Sequence, residues 1–98
     1  FNFSHGKVAV IDDIKSNADG TLTRTLQFEN KGNVDRFRIA EEQGIIWLND
    51  DWATIGNLYH LAIRKGKEHV SITPSESIDQ LLYNIPIGTS TLSYDISW

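Results

Sequence analysis

The 98 residues, 40% of them hydrophobic and 22% charged, suffice for one globular domain with its own core and are too few for two. The net charge of −4 argues against a nucleic-acid-binding protein, because phosphate contacts require a basic surface. The absence of cysteine excludes disulfides, thiol catalysis and cysteine-based metal sites, and no apolar run reaches the length of a membrane-spanning helix.

A first pair of strands is predicted near the N-terminus. Residues 7–11 are mostly apolar and rich in β-branched side chains, and residues 21–28 alternate as a half-buried strand does. The turn pair Asp19-Gly20 lies between them, so we expect a hairpin with a long connection. One face of its second strand carries Leu22, Leu26 and Phe28, and the other carries Thr21, Thr23, Thr25 and Gln27.

A second hairpin is predicted over residues 34–49, with residues 41–44 as its loop. The apolar pattern selects the register that brings four apolar side chains to one face. These residues are Phe37, Ile39, Ile46 and Leu48. On the other face, the stem of an arginine such as Arg38 is expected to lie across the Trp47 indole. Gly44 is expected to supply the positive φ of the loop.

A third hairpin is predicted over residues 58–73, turning at Lys65-Gly66. Its alternation between apolar and polar side chains is the most regular in the chain. The apolar face holds Tyr59, Leu61, Ile63, Val70 and Ile72. The polar face holds His60, Arg64, Lys67, His69 and Ser71.

One amphipathic helix is predicted near residues 74–85. Thr73, Pro74 and Glu76 match a capping box with proline at the first helical position. Apolar side chains then recur at helical spacing. They are Ile78, Leu81, Leu82 and Ile85. Residues 89–98 alternate again and predict a final strand.

These elements together predict a mainly β domain, a β-rich α+β fold with sandwich-like antiparallel sheets of about six strands and the one helix. No repeat, linker or low-complexity tract divides the chain, so residues 1–98 are expected to form a single domain. The chain starts at Phe1 and contains no methionine. We therefore expect a piece excised or processed from a longer chain.

The polar face of the third hairpin is the first candidate site. It places His60 and His69 as diagonal neighbours, within bridging reach of a metal ion. With Arg64 and Lys67 beside them, the same face suits a phosphate or carboxylate ligand. The alternative is a solvated face whose charges oppose edge-to-edge aggregation. Two histidines without a third ligand do not define a metal site, so we predict no metal and no cofactor.

The loop of residues 49–57 is the second candidate site. It combines an indole with carboxylates and amides, which suits a sugar that stacks on the ring and hydrogen-bonds at its rim. The binding residues would be Asn49, Asp50, Asp51, Trp52 and Asn57. One alternative is calcium bound by the same oxygens, although regular ligand spacing is lacking. The other is a structural loop in which Trp52 packs over the core edge.

No sequence motif assigns the chain to an enzyme class, and adjacent acids such as Asp12-Asp13 point to opposite faces of a strand. We predict a non-catalytic binding or structural module of a larger extracellular, cell-surface or virion-type protein. Its partner would be a protein or a glycan, with no nucleic acid and no membrane insertion, and self-association through a strand edge is compatible with this role. The alternative is a small stand-alone inhibitor or regulator that inserts the 49–57 loop into a partner's cleft.

Overall fold

Two antiparallel β-sheets packed face to face form the domain. The computed structural model describes residues 2–5, 8–32 and 35–98. The strands are β1 (Asn2–His5), β2 (Val8–Ser16), β3 (Leu22–Asn30), β4 (Asp35–Glu42), β5 (Ile45–Trp47), β6 (Trp52–Ile55), β7 (Tyr59–Lys65), β8 (Val70–Thr73), β9 (Asp79–Ile85) and β10 (Gly88–Ser97). One turn of 3-10 helix, Lys67–His69, precedes β8. The small sheet contains β4, β8 and β9, and the large sheet contains the other seven strands.

The strand order explains how the two sheets are connected. The large sheet runs β1-β2-β3-β10-β7-β6-β5, and the small sheet runs β4-β9-β8. Two consecutive runs of three strands, β1 to β3 and β5 to β7, therefore flank the last strand, β10. The chain leaves the large sheet for β4, returns at β5, leaves again for β8 and β9, and comes back as β10. The large sheet is thus completed by β10, the last strand in the chain.

Alternating apolar side chains of both sheets fill the space between them. Phe28 of the large sheet stacks on Tyr83 of the small sheet with ring centroids 5.1 Å apart, and it meets Phe37 edge-on at 5.6 Å. Aromatic pairs in such geometries add about 0.5–1.5 kcal/mol each beyond area burial. Leu92 and Tyr94 of β10 are buried in the same core. The opposite side of the large sheet consequently faces solvent.

The predicted class, mainly β with sandwich-like antiparallel sheets, is confirmed, with ten strands in the described residues instead of about six. The first predicted hairpin forms as β2 and β3, with Val10 opposite Phe28 and a turn at Gly20, whose φ is 87°. The final predicted strand is β10. Lys7 and Val34, each predicted to begin a strand segment, lie outside the described residues.

The hairpin predicted over residues 34–49 is wrong. β4 pairs with β9 and β5 pairs with β6, so the two segments belong to different sheets. Gly44 has the expected positive φ, 75°, but it lies where the chain passes from one sheet to the other. Ile46 and Leu48, predicted to share an apolar face with Phe37, are 60% and 59% exposed. The predicted side of this strand was therefore wrong as well as its partner, because Ile45 and Trp47 are the β5 residues that pack against the core.

The hairpin predicted over residues 58–73 is also wrong. β7 pairs with β6 and β10, whereas β8 pairs with β9. Both strands do direct their apolar side chains into the core, but they face each other from opposite sheets. The chain crosses between the sheets at Gly66, which has a φ of 87°. A Cβ added there would lie 2.8 Å from the carbonyl oxygen of Thr91, so the crossing passes directly against β10.

The helix predicted near residues 74–85 is wrong, and the described residues contain no α-helix. Thr73 pairs with Gln80 as the last residue of β8, so it does not cap a helix. The Ser75 hydroxyl accepts a hydrogen bond from the Ile78 amide at 3.2 Å and donates one to the Ile78 carbonyl. β9 is the middle strand of the small sheet, and pairing on both its edges outweighs the local helix signal. No helix in the described part of the chain is long and apolar enough to cross a membrane.

Candidate functional site

The outer face of the large sheet, opposite the small sheet, carries a continuous row of side chains across four strands. Partners across neighbouring strands point to the same side, so the register assigns each residue to a face. Trp52 on β6 is opposite Ala62 on β7, and Ala62 is opposite Asp95 on β10. Asp95 in turn is opposite Thr23 on β3. The row therefore joins an indole, a methyl group, a carboxylate and a hydroxyl.

A depression of about 290 Å³ lies along this row. It is lined by Asp51, Trp52, Ala62, Arg64, Asp95 and Ser97, with the β2–β3 turn at one end. We refer to it as the Trp52 depression. Ala62 separates the indole from the carboxylate in the row, and its small side chain leaves open the space that a larger one would fill.

Asp95 and Arg64 form a fixed polar pair in the Trp52 depression. The Arg64 Nε–H donates to Asp95 Oδ2 at 2.7 Å, and the Thr23 hydroxyl donates to Asp95 Oδ1 at 2.6 Å. Both carboxylate oxygens are thereby oriented. The Arg64 side chain is 66% exposed, so other guanidinium donors remain accessible from solvent. Groups held in place before binding lose less entropy when a ligand arrives.

Trp52 is positioned by a tight turn that precedes β6. The Asn49 Oδ1 atom accepts hydrogen bonds from the backbone amides of Asp51 and Trp52, at 2.9 and 3.0 Å. The Ile63 amide donates to the Asp51 carbonyl at 2.8 Å and fixes the turn against β7. The indole lies 6.2 Å from the His60 ring, centroid to centroid, and is 41% exposed. Trp52 is thus held in place and accessible.

The β2–β3 turn contributes Asp19 to the far end of the Trp52 depression. Its Oδ1 atom accepts hydrogen bonds from the Thr21 hydroxyl at 2.7 Å and from the Thr21 amide at 3.0 Å. The bond from the Thr21 hydroxyl is the main reason that the pKa of Asp19 lies below its ordinary value. Asp19 is therefore ionised at neutral pH, and carboxylates outnumber guanidinium groups along the lining.

Residues from both predicted sites meet in this depression. Asp51 and Trp52 come from the predicted loop, and Arg64 comes from the predicted polar hairpin face. His60, also from that face, lies beside the Trp52 ring. Asn49 contributes indirectly, because its side chain holds the turn. The pairing of β6 with β7 is what brings the two sets together.

Three of the five predicted binding residues lie outside the lining of the Trp52 depression, namely Asn49, which holds the turn, Asp50 and Asn57. Asp50 is exposed in the turn before β6, and Asn57 is exposed in the turn after it. The segment between them is mostly strand, since residues 52–55 form β6. Two tight turns therefore replace the long loop that the sequence suggested.

The basic residues predicted to share one hairpin face are separated. Lys67 and His69 belong to the 3-10 turn that crosses to the small sheet, whereas His60 and Arg64 lie on the outer face of β7. The His69 ring instead meets Tyr83 edge-on, with centroids 6.0 Å apart. Within residues 2–5, 8–32 and 35–98, no three His, Asp or Glu side chains form a group that could hold a metal ion.

Sequence reasoning missed Ala62, Thr23 and Asp95 as parts of a site. Nothing in the sequence around Ala62 distinguishes it from other strand residues, because its role depends on which strands lie beside it. The alternation of residues 89–98 puts Asp95 among the polar side chains of the last strand, but nothing local indicates that this strand inserts between β3 and β7. The signal that could have found the site is the pair of opposite charges on Arg64 and Asp95, combined with the correct strand order.

Together the fold and the site define a two-sheet antiparallel β domain with a shallow, partly aromatic depression on its outer face. Comparison of the chain with protein-family models, with curated proteins and with solved structures found no match. The residues of the Trp52 depression are therefore the basis on which a function is inferred.

Proposed function

We propose that this domain is a non-catalytic recognition module that binds a glycan in the Trp52 depression, as part of a larger extracellular or surface-exposed protein. The observation that carries the proposal is an accessible indole beside an oriented carboxylate–guanidinium pair, with a small residue between them. Small-molecule sites characteristically combine an apolar surface with a few fixed polar groups.

Trp52 supplies the apolar contact. The C–H face of a sugar ring is apolar and packs well on an indole, whereas the hydroxyls at its rim need hydrogen-bond partners. Trp52 is accessible in the free domain, so stacking requires no rearrangement of the core. The turn at Asn49 already orders the backbone at this position.

Arg64, Asp95 and Ser97 supply the polar contacts. A sugar hydroxyl both donates and accepts, and this lining offers acceptors on the carboxylate next to donors on the guanidinium. Hydrogen bonds that involve a charged group are stronger than those between neutral groups. Because Asp95 is already oriented by Arg64 and Thr23, a ligand that binds here meets a preformed arrangement.

The proposal is tested by titrating the domain with neutral oligosaccharides of the cello-, xylo- and manno- series, followed by calorimetry and tryptophan fluorescence. Trp52→Ala should weaken binding by at least about tenfold, or ~1.4 kcal/mol. Trp52→Tyr, which keeps an aromatic face, should retain part of the affinity. Trp98→Ala is the matched control, because Trp98 is 71% exposed and lies outside the Trp52 depression.

Two results would contradict the proposal. Equal affinity of Trp52→Ala and Trp98→Ala would show that sugars bind elsewhere. No binding to any of the three series, with circular dichroism confirming a folded domain, would remove the glycan-binding role. A fluorescence change on adding sugar that persists in Trp98→Ala and disappears in Trp52→Ala would support the proposal.

A further inference from the structure

A second and larger hollow lies on the same outer face. It has a volume of about 750 Å³ and is formed by β1, β2, β3 and β10. Its outward side chains include Ile11, Gln27, Glu29, Thr89 and Thr91, and we refer to it as the trough. Each of β2, β3 and β10 contributes three consecutive residues to the trough. The first and third point outward, and the middle one faces the core, as Phe28 does on β3. The backbone of those central residues therefore forms the bottom of the trough.

The trough and the Trp52 depression are aligned along β10. Thr91 lines the trough and Asp95 lines the Trp52 depression, and both point outward from the same strand. Four residues at ~3.3 Å each place them about 13 Å apart. The surface between them is formed by Ser93 and its partner Thr25, whose hydroxyl oxygens are 3.2 Å apart. These two side chains are short, but Ser93 is only 7% exposed, and its partner on β7 is Lys65, whose long exposed side chain borders this stretch of the surface.

We propose that the two hollows are parts of one groove that takes an extended chain of a neutral polysaccharide. This inference rests on the proposed glycan-binding function. Trp52 would stack one sugar unit, and the chain would continue along β10 over Ser93 into the trough. There Gln27 and Thr91, which are partners across β3 and β10, would bond the hydroxyls of later units. The domain would accordingly bind internal stretches of a polymer in preference to a single terminal sugar.

The charges along this path favour a neutral ligand over an acidic one. Asp19, Asp51 and Asp95 line the Trp52 depression, and Glu29 lines the trough. Among the cations, Arg64 is already paired with Asp95. Lys65 and Lys15, which the register places opposite Ser93 and Thr23, bring the cations to three against these four carboxylates. A uronic-acid or sulfated chain would bring like charges close to these carboxylates and would be repelled.

The test compares disaccharide, tetrasaccharide and hexasaccharide of whichever neutral series binds. In the wild-type domain the hexasaccharide should bind at least about tenfold more tightly than the disaccharide. The double variant Gln27→Ala/Thr91→Ala should lose most of this gain and leave disaccharide affinity unchanged. The matched control is Gln80→Ala/Thr73→Ala, because Thr73 and Gln80 are likewise cross-strand partners but lie on the small sheet.

The outcomes separate this inference from the proposed function. Disaccharide binding that depends on Trp52 but shows no increase with length would overturn the groove and leave the glycan site in place. The same holds if both double variants bind the hexasaccharide equally. If polygalacturonate bound more tightly than every neutral chain, the proposal that the ligand is neutral would be wrong. If the wild-type domain bound no sugar at all, both proposals would be wrong.

Discussion

The ammonium group of Lys67 lies 4.3 Å from the centroid of the Trp47 ring. Trp47 ends β5 at one edge of the large sheet, and Lys67 begins the 3-10 turn that leads into the small sheet. The contact therefore connects a sheet edge to a crossing between sheets, through attraction of the cation to the ring face. The sequence had suggested an arginine such as Arg38 for this indole, but Arg38 instead donates to Glu41 at 2.9 Å.

Replacing Lys67 by methionine should destabilise the domain. The substitution keeps an unbranched apolar stem and removes the charge, so it should lower the free energy of unfolding by about 0.5–1 kcal/mol. Lys65→Met is the control, since Lys65 is exposed two residues away and should change stability by less than about 0.5 kcal/mol. Urea denaturation of both variants measures the difference. Equal stability of the two would show that the contact contributes nothing.

Asp12 and Arg24 form an ion pair at the margin of the core. The Arg24 Nε and Nη2 groups donate to the two Asp12 oxygens at 3.0 and 2.6 Å, and Nη1 donates to the Tyr94 hydroxyl at 3.1 Å. The side chains of Arg24 and Asp12 are 24% and 11% exposed. The hydrogen bonds to Asp12 raise the pKa of Arg24 even further above neutrality. The guanidinium thus remains charged under all ordinary conditions.

Asp12→Ala should lower the free energy of unfolding by about 2–4 kcal/mol, because it leaves the charge of Arg24 partly buried without its carboxylate. Asp13→Ala provides the matched control. Asp13 is the next residue, points to the opposite face and is exposed, so its removal should cost less than about 0.5 kcal/mol. Chemical denaturation monitored by circular dichroism gives both values. A loss for Asp12→Ala no larger than that for Asp13→Ala would contradict the structural role of the pair.

Gly66 and Gly20 have the same φ of 87° but different surroundings. A Cβ at Gly66 would meet the Thr91 carbonyl oxygen at 2.8 Å and Tyr83 at 3.1 Å, whereas a Cβ at Gly20 would meet nothing within 4 Å. Alanine at Gly20 should therefore cost only the left-handed backbone strain, about 1–2 kcal/mol. Alanine at Gly66 should cost clearly more, and thermal melts of both variants measure the excess. Similar melting temperatures would mean that the crossing adapts without cost.

Tyr83 and Ser90 bury hydroxyls that make no well-formed hydrogen bond among the described residues. The two groups are nevertheless neighbours, since burial raises the pKa of Tyr83 and interaction with Ser90 partly offsets that rise. Tyr83→Phe keeps the ring that stacks on Phe28 and removes the unsatisfied group. We expect its free energy of unfolding at neutral pH to rise by about 1 kcal/mol. Tyr59→Phe, at a half-buried position, should change stability by less than about 0.5 kcal/mol. A clear loss of stability in Tyr83→Phe would reveal a bond that the hydroxyl makes.

The same variant should alter the response to alkaline pH. Burial raises the pKa of Tyr83 above its ordinary value, as it does for Tyr59 and Tyr94. The folded state therefore holds these protons more tightly than the unfolded chain, in which the pKa is about 10. Their stabilising contribution is complete below about pH 10 and is lost as the pH rises through the folded values. As the pH rises above about 10, Tyr83→Phe should therefore lose less stability than the wild type.

The predicted faces of the strands were more accurate than the predicted partners. Leu61 on β7 and Ile72 on β8 were assigned to one apolar face, and both do pack into the core. They do so from opposite sheets, because the chain crosses at Gly66 instead of turning back. A period of two along a strand records which side is buried, and it is equally well satisfied by a hairpin or by two facing sheets.

The helix prediction failed for a related reason. Leu81, Leu82 and Ile85 fit helical spacing, yet Tyr83, which breaks that spacing, is fully buried. As a strand, β9 directs Leu81, Tyr83 and Ile85 into the core and shares hydrogen bonds with β4 and β8, and Leu82 between them is buried as well. A capping sequence stabilises a helix by about 1 kcal/mol, which is less than the packing gained by the central strand of a sheet.

Composition, turn residues and local alternation were enough to predict the β-rich class, the first hairpin, the last strand and the inward side of most strands. The sequence also singled out Trp52 and Arg64. That these two residues share a depression with Asp95 became visible only when the strands were arranged in three dimensions. That arrangement depends on β10 inserting between two distant runs of strands, a pairing set by the packing of the whole core and by no local preference.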